Sequence, residues 1–188
     1  VLSHLHREVG QVERAIELHR GLLARTDLSR AERAHALASL GTDYRKAGLL
    51  DRASQAYEEA LEVDPRNLLA LEGQQKLFEE QREWRQAYEA QTRLARLRKS
   101  DDGLVLAYLQ TEMGNEAVRA GLWDEAEAAF RTALSLDQRA TPAYLALADL
   151  WLEKDPRRAA SILESAIAAA PERAYLTFDR LEKAWAAS

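Results

Sequence analysis

Residues 48–61 read Gly-Leu-Leu-Asp-Arg-Ala-Ser-Gln-Ala-Tyr-Glu-Glu-Ala-Leu. From Gly48 it is five residues to Ala53, four to Tyr57, three to Ala60 and five to Pro65. Gly121, Ala126, Phe130 and Ala133 repeat that spacing, with Gln138 in place of Pro. Ala159, Leu163, Ala166 and Pro171 repeat it without the Gly, and Ala87, Gln91 and Leu94 form a degenerate copy. Gly10, Ala15, His19 and Leu22 form another. The anchoring Ala thus recurs at 15, 53, 87, 126 and 159, in steps of 38, 34, 39 and 33. An upstream half repeats with it: Leu40-Gly41 with Tyr44, Met113-Gly114, and Leu147-Ala148 one residue out of phase. Each unit reads as two short helices joined by a tight turn. Small residues let the helices approach, and the large residue four places after Ala lies on the same face and fills the gap to the next unit. No unit can bury its apolar face alone, so units must stack.

Composition agrees. The chain has 188 residues, 47% apolar and 30% charged, with only 8 Gly and 4 Pro. Ala, Leu, Glu and Arg are helix formers, and no stretch sustains strand alternation. The apolar fraction excludes general disorder. Zero Cys excludes a disulfide framework, a zinc ribbon and a thiol nucleophile. A net charge of −5 argues against a nucleic-acid partner. No apolar run approaches the ~18 residues of a membrane span, so direct membrane contact is not expected. The start at Val1 reads as a cut from something longer.

The fold class expected is all-α. Helices are predicted at 2–9, 12–25, 30–47, 51–63, 68–81, 84–98, 102–120, 124–136, 142–153, 156–170 and 173–186. A single array over 1–188 would divide into a partial unit at 1–28, then 30–67, 68–101, 102–140 and 141–171, with 172–188 unpaired or capping. Ser29 and Glu32 form a capping box, and Asp155-Pro156 is an N-cap followed by Pro at the first helical position. Thr141-Pro142 reads as the same start. The 39-residue step carries extra length around Ser100 to Gly103.

Signatures of chemistry are nearly absent. The glycines are scattered, so there is no phosphate loop. His4 and His6 fall on different faces of a helix and read as exposed. His19 sits where a large core residue belongs. Carboxylate pairs such as Glu58-Glu59, Glu79-Glu80 and Asp101-Asp102 read as solvated faces. Trp84 and Trp123, three residues before Ala87 and Ala126, are expected to pack across their helical turns. Trp151 is expected in the core, and Trp185 is a candidate for exposure or a partner. No catalytic triad can be named, and no enzyme activity is expected.

This pattern resembles the tetratricopeptide repeat (TPR) family over nearly the whole chain. The resemblance implies a right-handed superhelix of antiparallel helix pairs whose first helices line a concave, partner-binding groove. The groove candidates are then His35, Ala38, Thr42, Arg45 and Lys46; Leu69, Glu72, Lys76 and Glu79; Tyr108, Thr111, Asn115 and Arg119; and Leu145, Asp149 and Leu152. Their mixture of charge signs, amides and one aromatic suits a peptide or an amphipathic helix. The Lys and Asn clamp by which some TPR domains hold a terminal carboxylate is matched only by Asn115.

The stretch from Glu8 onward carries a further resemblance. Gly10-Gln11-Val12-Glu13-Arg14-Ala15-Ile16-Glu17-Leu18-His19 precedes Leu40-Gly41-Thr42-Asp43-Tyr44 and Ala47-Gly48-Leu49-Leu50-Asp51-Arg52-Ala53. Glu83-Trp84, Ala87 and Arg93-Leu94 continue it. This is similar to the lipopolysaccharide assembly protein B family. The resemblance implies an N-terminal inner-membrane anchor, a cytoplasmic TPR array and a rubredoxin-like module with four Cys ligands beyond it. It also implies an adaptor role, bringing the deacetylase that commits carbon to lipid A to a membrane-bound AAA+ protease. With no Cys, this chain is expected to hold no metal and no cofactor. A general assembly or self-association module is the alternative, with a homodimer formed through the terminal helix around Leu181 and Trp185.

Overall fold

The computed structural model describes residues 11–187. Every regular element among them is helical, as the composition requires. In chain order they are α1 (Val12–Leu23), α2 (Arg30–Lys46), α3 (Leu50–Val63), α4 (Leu68–Gln81), α5 (Trp84–Arg98), α6 (Gly103–Arg119), α7 (Trp123–Leu136), α8 (Thr141–Trp151) and α9 (Pro156–Ala169). A 3-10 segment (Pro171–Leu176) and α10 (Phe178–Ala186) follow. The expected helix at 2–9, with His4 and His6, lies outside the described residues.

The chain divides into two compact units, residues 1–100 and 101–188. The division falls in the connection that the long repeat step marks. In the first unit α2 packs on α3 and α4 on α5, and the first helices α2 and α4 also touch. In the second unit α6 packs on α7, α8 on α9, and α6 on α8. These are the helical hairpins that the repeat spacing requires.

The anchoring positions explain the packing. Ala15, Ala53, Ala87, Ala126 and Ala159 are all fully buried. Four residues later, Tyr57, Phe130 and Leu163 are fully buried, and His19 and Gln91 nearly so. The ring of Tyr57 lies over Gly41 of its own hairpin and Gly73 of the next. A Cβ at Gly73 would stand 2.2 Å from the ring, and one at Gly41 2.7 Å. Phe130 sits over Gly114 in the same way, at 2.4 Å. Glycine at these three places is a requirement of ring-to-backbone packing.

Of the three helix starts read from the sequence, two hold and one does not. Ser29 and Glu32 make both bonds of the capping box, and the Ser29 N–H donates to the Glu32 carboxylate at 2.9 Å. Asn67 caps α4 through the Ala70 N–H at 2.9 Å, and Asp155 caps α9 through the Arg158 N–H at 3.0 Å. Thr141 is the exception. It is the first residue of α8 after an Ala140 cap, it is buried, and its hydroxyl does not cap the helix. Its backbone N–H donates to Arg139 O at 2.8 Å instead. The turn before α3 uses Gly48 at φ 74 and that before α7 Gly121 at φ 73. Arg82 fills the matching place before α5 at φ 59, left-handed backbone without glycine.

Three further expectations change. The single helix at 173–186 is a 3-10 segment and a shorter helix, separated at Thr177. That residue is buried, and its hydroxyl donates to Ala174 O at 2.8 Å. Trp123 is half-exposed, because α7 begins at this residue and its ring lies beneath Lys154, with Nζ 5.3 Å from the centroid. Trp151 is half-buried, and its ring packs between core side chains and the Arg158 guanidinium 3.4 Å away.

Candidate functional site

The residues chosen for a groove sit on α2 and α4 in the first unit. His35, Lys46 and Lys76 are exposed. Arg45 is ion-paired with Glu80, which ties α2 to α4, and Glu72 is ion-paired with Arg98 of α5. Thr42 donates to Ala38 O at 3.0 Å and accepts the Tyr57 hydroxyl at 3.3 Å. Ala38 is fully buried and Leu69 packs on the core, so neither presents an open side chain. Gln75 Nε2 donates to Glu79 at 2.7 Å, while burial pushes the Glu79 carboxyl above its ordinary value. Accessible chemistry on this face is therefore cationic.

The second unit differs. Tyr108 on α6 is half-exposed, and Leu104, one turn earlier, is exposed. Thr111 is buried and donates to Ala107 O at 2.8 Å, so it belongs to the packing and not to a surface. Asn115 donates to Glu112 at 3.3 Å, and Arg119 pairs loosely with Glu116 at 3.7 Å. Asp149 is held in a two-point bond by Arg180, at 2.8 and 2.9 Å, which joins α8 to α10. Leu145 and Leu152 are half-buried beside the core of α8 and α9.

Sequence reasoning named Trp185 as a candidate but missed Phe178, Glu182 and Tyr175 beside it. Phe178, Glu182 and Trp185 share one stripe of α10 at i, i+4 and i+7, and Phe178 and Trp185 are more than half exposed. Tyr175 is exposed one turn earlier. Extending the groove spacing into this last unit would have found them.

His19 and Asp43 form a buried contact, Nδ1 to Oδ2 at 2.6 Å, between α1 and α2. The packing role expected of His19 holds, and Asp43 supplies the polar partner that such burial demands. A cleft of about 420 Å³ in the second unit is lined by Asp101, Gly103, Leu104, Leu136, Asp137, Arg139 and Arg173. Its two carboxylates accept the backbone N–H of Gly103 and of Arg139, so they shape turns. Among the described residues no group of three or more His, Asp or Glu is placed to hold a metal ion. The chain contains no Cys, so none of its residues can supply the thiolates of a rubredoxin-like module. Among the described residues no helix is long and apolar enough to cross a membrane.

A tetratricopeptide repeat family model matches residues 34–67, which run from the small residue opening the core face of α2 to the cap of α4. Residues 34–67 are a tetratricopeptide repeat. The hairpins α4–α5, α6–α7 and α8–α9, though less regular in sequence, share its buried Ala. The chain is 25% identical to lipopolysaccharide assembly protein B of Escherichia coli (strain K12) over 81% of its length and 39% of that protein. It is 26% identical to the protein of that name from Haemophilus influenzae, over 91% of its own length and 43% of the relative. It thus spans about two fifths of the length of these relatives. Among solved structures, MamA superposes with a TM-score of 0.60 at 19% identity, covering 93% of this chain and 98% of MamA. YrrB, described as a TPR protein with an unusual peptide-binding site, superposes with a TM-score of 0.56 at 20% identity, covering 98% and 87%. These likenesses establish the TPR fold.

Proposed function

We propose that this chain is a non-catalytic protein-binding scaffold, the TPR region of an adaptor that regulates lipopolysaccharide synthesis. In this reading it works at the cytoplasmic face of the inner membrane and needs no cofactor of its own. It presents the deacetylase that commits carbon to lipid A to a membrane-bound AAA+ protease. The observation that carries the scaffold reading is the exposed chemistry on the first helices. His35, Lys46 and Lys76 are exposed in one unit, and Tyr108, Phe178 and Trp185 are about half-exposed in the other, on helices whose opposite faces are buried. Exposed lysines in the first unit and, separately, exposed aromatic side chains in the second are each usual material of a polypeptide-binding face. The similarity to lipopolysaccharide assembly protein B over most of the chain supports the link to lipopolysaccharide assembly.

The test is capture of purified deacetylase by the immobilised chain. Lys46→Glu with Lys76→Glu, and separately Phe178→Ala with Trp185→Ala, should each weaken capture about tenfold. Full capture by both variants would remove the first helices from the interface. A second reading rests on the exposure of Tyr175, Phe178 and Trp185 together. In it, α10 joins a second copy of the chain. Sedimentation equilibrium of a strict monomer at high concentration excludes that reading.

A further inference from the structure

The chain is acidic overall, yet residues 82–99 carry six Lys or Arg against two Glu. That is a net +4 in a chain of net −5. Most of it lies on one side of α5. Counting 100° per residue, Arg85, Glu89, Arg93 and Arg96 fall within one quarter of the helix, and all four are exposed. Ala87, Ala90, Gln91 and Leu94 occupy the opposite, buried side. Arg82 and Lys99, at the two ends, extend the stripe and are exposed. Arg82, Arg85, Arg96 and Lys99 take part in none of the ion pairs found among the described residues.

The matching stripe of α3 has the opposite sign. Asp51, Glu58, Glu59 and Glu62 are exposed there, with Arg52 the cation beside them. α3 and α5 both pack on α4, and Arg93 of α5 donates to Pro65 O just beyond α3, at 3.3 Å. A broad anionic plane laid against α5 would therefore also meet the carboxylates of α3. A narrow ligand along α5 alone would not. The α5 stripe exposes no large apolar side chain that would enter a bilayer. Its guanidinium groups suit carboxylates, which they bind through two parallel bonds.

We infer that the outward face of α5 is a second docking surface, and that its occupant is an acidic polypeptide segment lying along the helix. This surface is separate from the first-helix faces above and does not depend on them. Attraction between exposed charges is screened by salt, so binding here is fast, weak singly and additive along the stripe.

The experiment uses the whole chain and a fluorescein-labelled oligo-glutamate peptide, read by anisotropy. Binding should be measurable at low ionic strength. It should weaken about tenfold when Arg85, Arg96 and Lys99 are all replaced by Gln. Replacing Arg14, Arg20 and Arg33 by Gln makes the same change in net charge elsewhere and should leave affinity within about twofold. Circular dichroism of each variant verifies that it is folded. The proposal fails if the peptide does not bind, or if both triple variants lose affinity equally. It also fails if phosphatidylglycerol vesicles, and not the peptide, are retained through Arg85, Arg96 and Lys99.

Discussion

Tyr57 shows how much one side chain can demand of the residues around it. Its ring covers two glycines, one on each neighbouring first helix, and the methyl of an alanine at Gly73 would stand inside the ring's contact distance. Gly73→Ala should therefore cost about 1–3 kcal/mol, read from urea midpoints. Gly41 belongs to the visible repeat; Gly73 lies off its phase and is explained only once the ring is placed. Arg82 offers the converse. It stands in left-handed backbone where Gly48 and Gly121 stand in the flanking turns. Arg82→Gly should stabilise by about 1 kcal/mol, because side chains other than glycine are strained there. An unchanged or lowered midpoint would refute that account. Asp43 is fully buried against His19. Asp43→Ala leaves a buried ring nitrogen without this partner and should cost about 2–3 kcal/mol in the same measurement. Glu79 brings a pH dependence. Burial holds its folded pKa above its unfolded one, so the protonated form favours the fold. Stability from this group is present at acid pH and is lost as pH rises through that interval. Glu79→Gln should raise the thermal midpoint at neutral pH and lose that advantage in acid.

At the scale of elements, three helix starts among the described residues follow from side-chain capping. Ser29 with Glu32, Asn67, and Asp155 with Pro156 start helices where their side chains satisfy orphan N–H groups. Thr141 looks equally suitable in the sequence, yet packing draws it into the interior and the cap passes to Ala140. The break at Thr177 has the same origin. Leu181 and Ala184 are buried against α8 and α9, which sets the phase of α10, and the 3-10 segment absorbs the mismatch. Ser29→Ala should fray the first turn of α2, seen as faster amide exchange there and no change elsewhere in the helix.

At the scale of the molecule, each unit has a hydrophobic core of its own. Tyr57, Leu77 and their alanines form one in residues 1–100, and clusters around Phe130 and Leu163 lie in residues 101–188. Each unit produced alone should then be helical and melt cooperatively in circular dichroism. A broad, gradual melt from either would show that its core is insufficient. The repeat also places the candidate faces, since the spacing that buries one side of a first helix leaves the other available. Which of those residues are available is a different matter. Thr111, Arg45, Glu72 and Asp149 satisfy the groove spacing, yet all are already engaged within the chain.

The all-α class, the hairpin repeat, the buried alanines and the caps at Ser29 and Asp155 were determined by the sequence alone. They rest on short-range spacing and local hydrogen bonding, which a chain carries wherever it lies. The two-unit division, the ring over Gly73, the engagement of Arg45 and Asp149 and the packing of the oppositely charged α3 and α5 on α4 were decided by tertiary structure. Those depend on which helices meet, and residues far apart in sequence acquire partners only when packing brings them within reach.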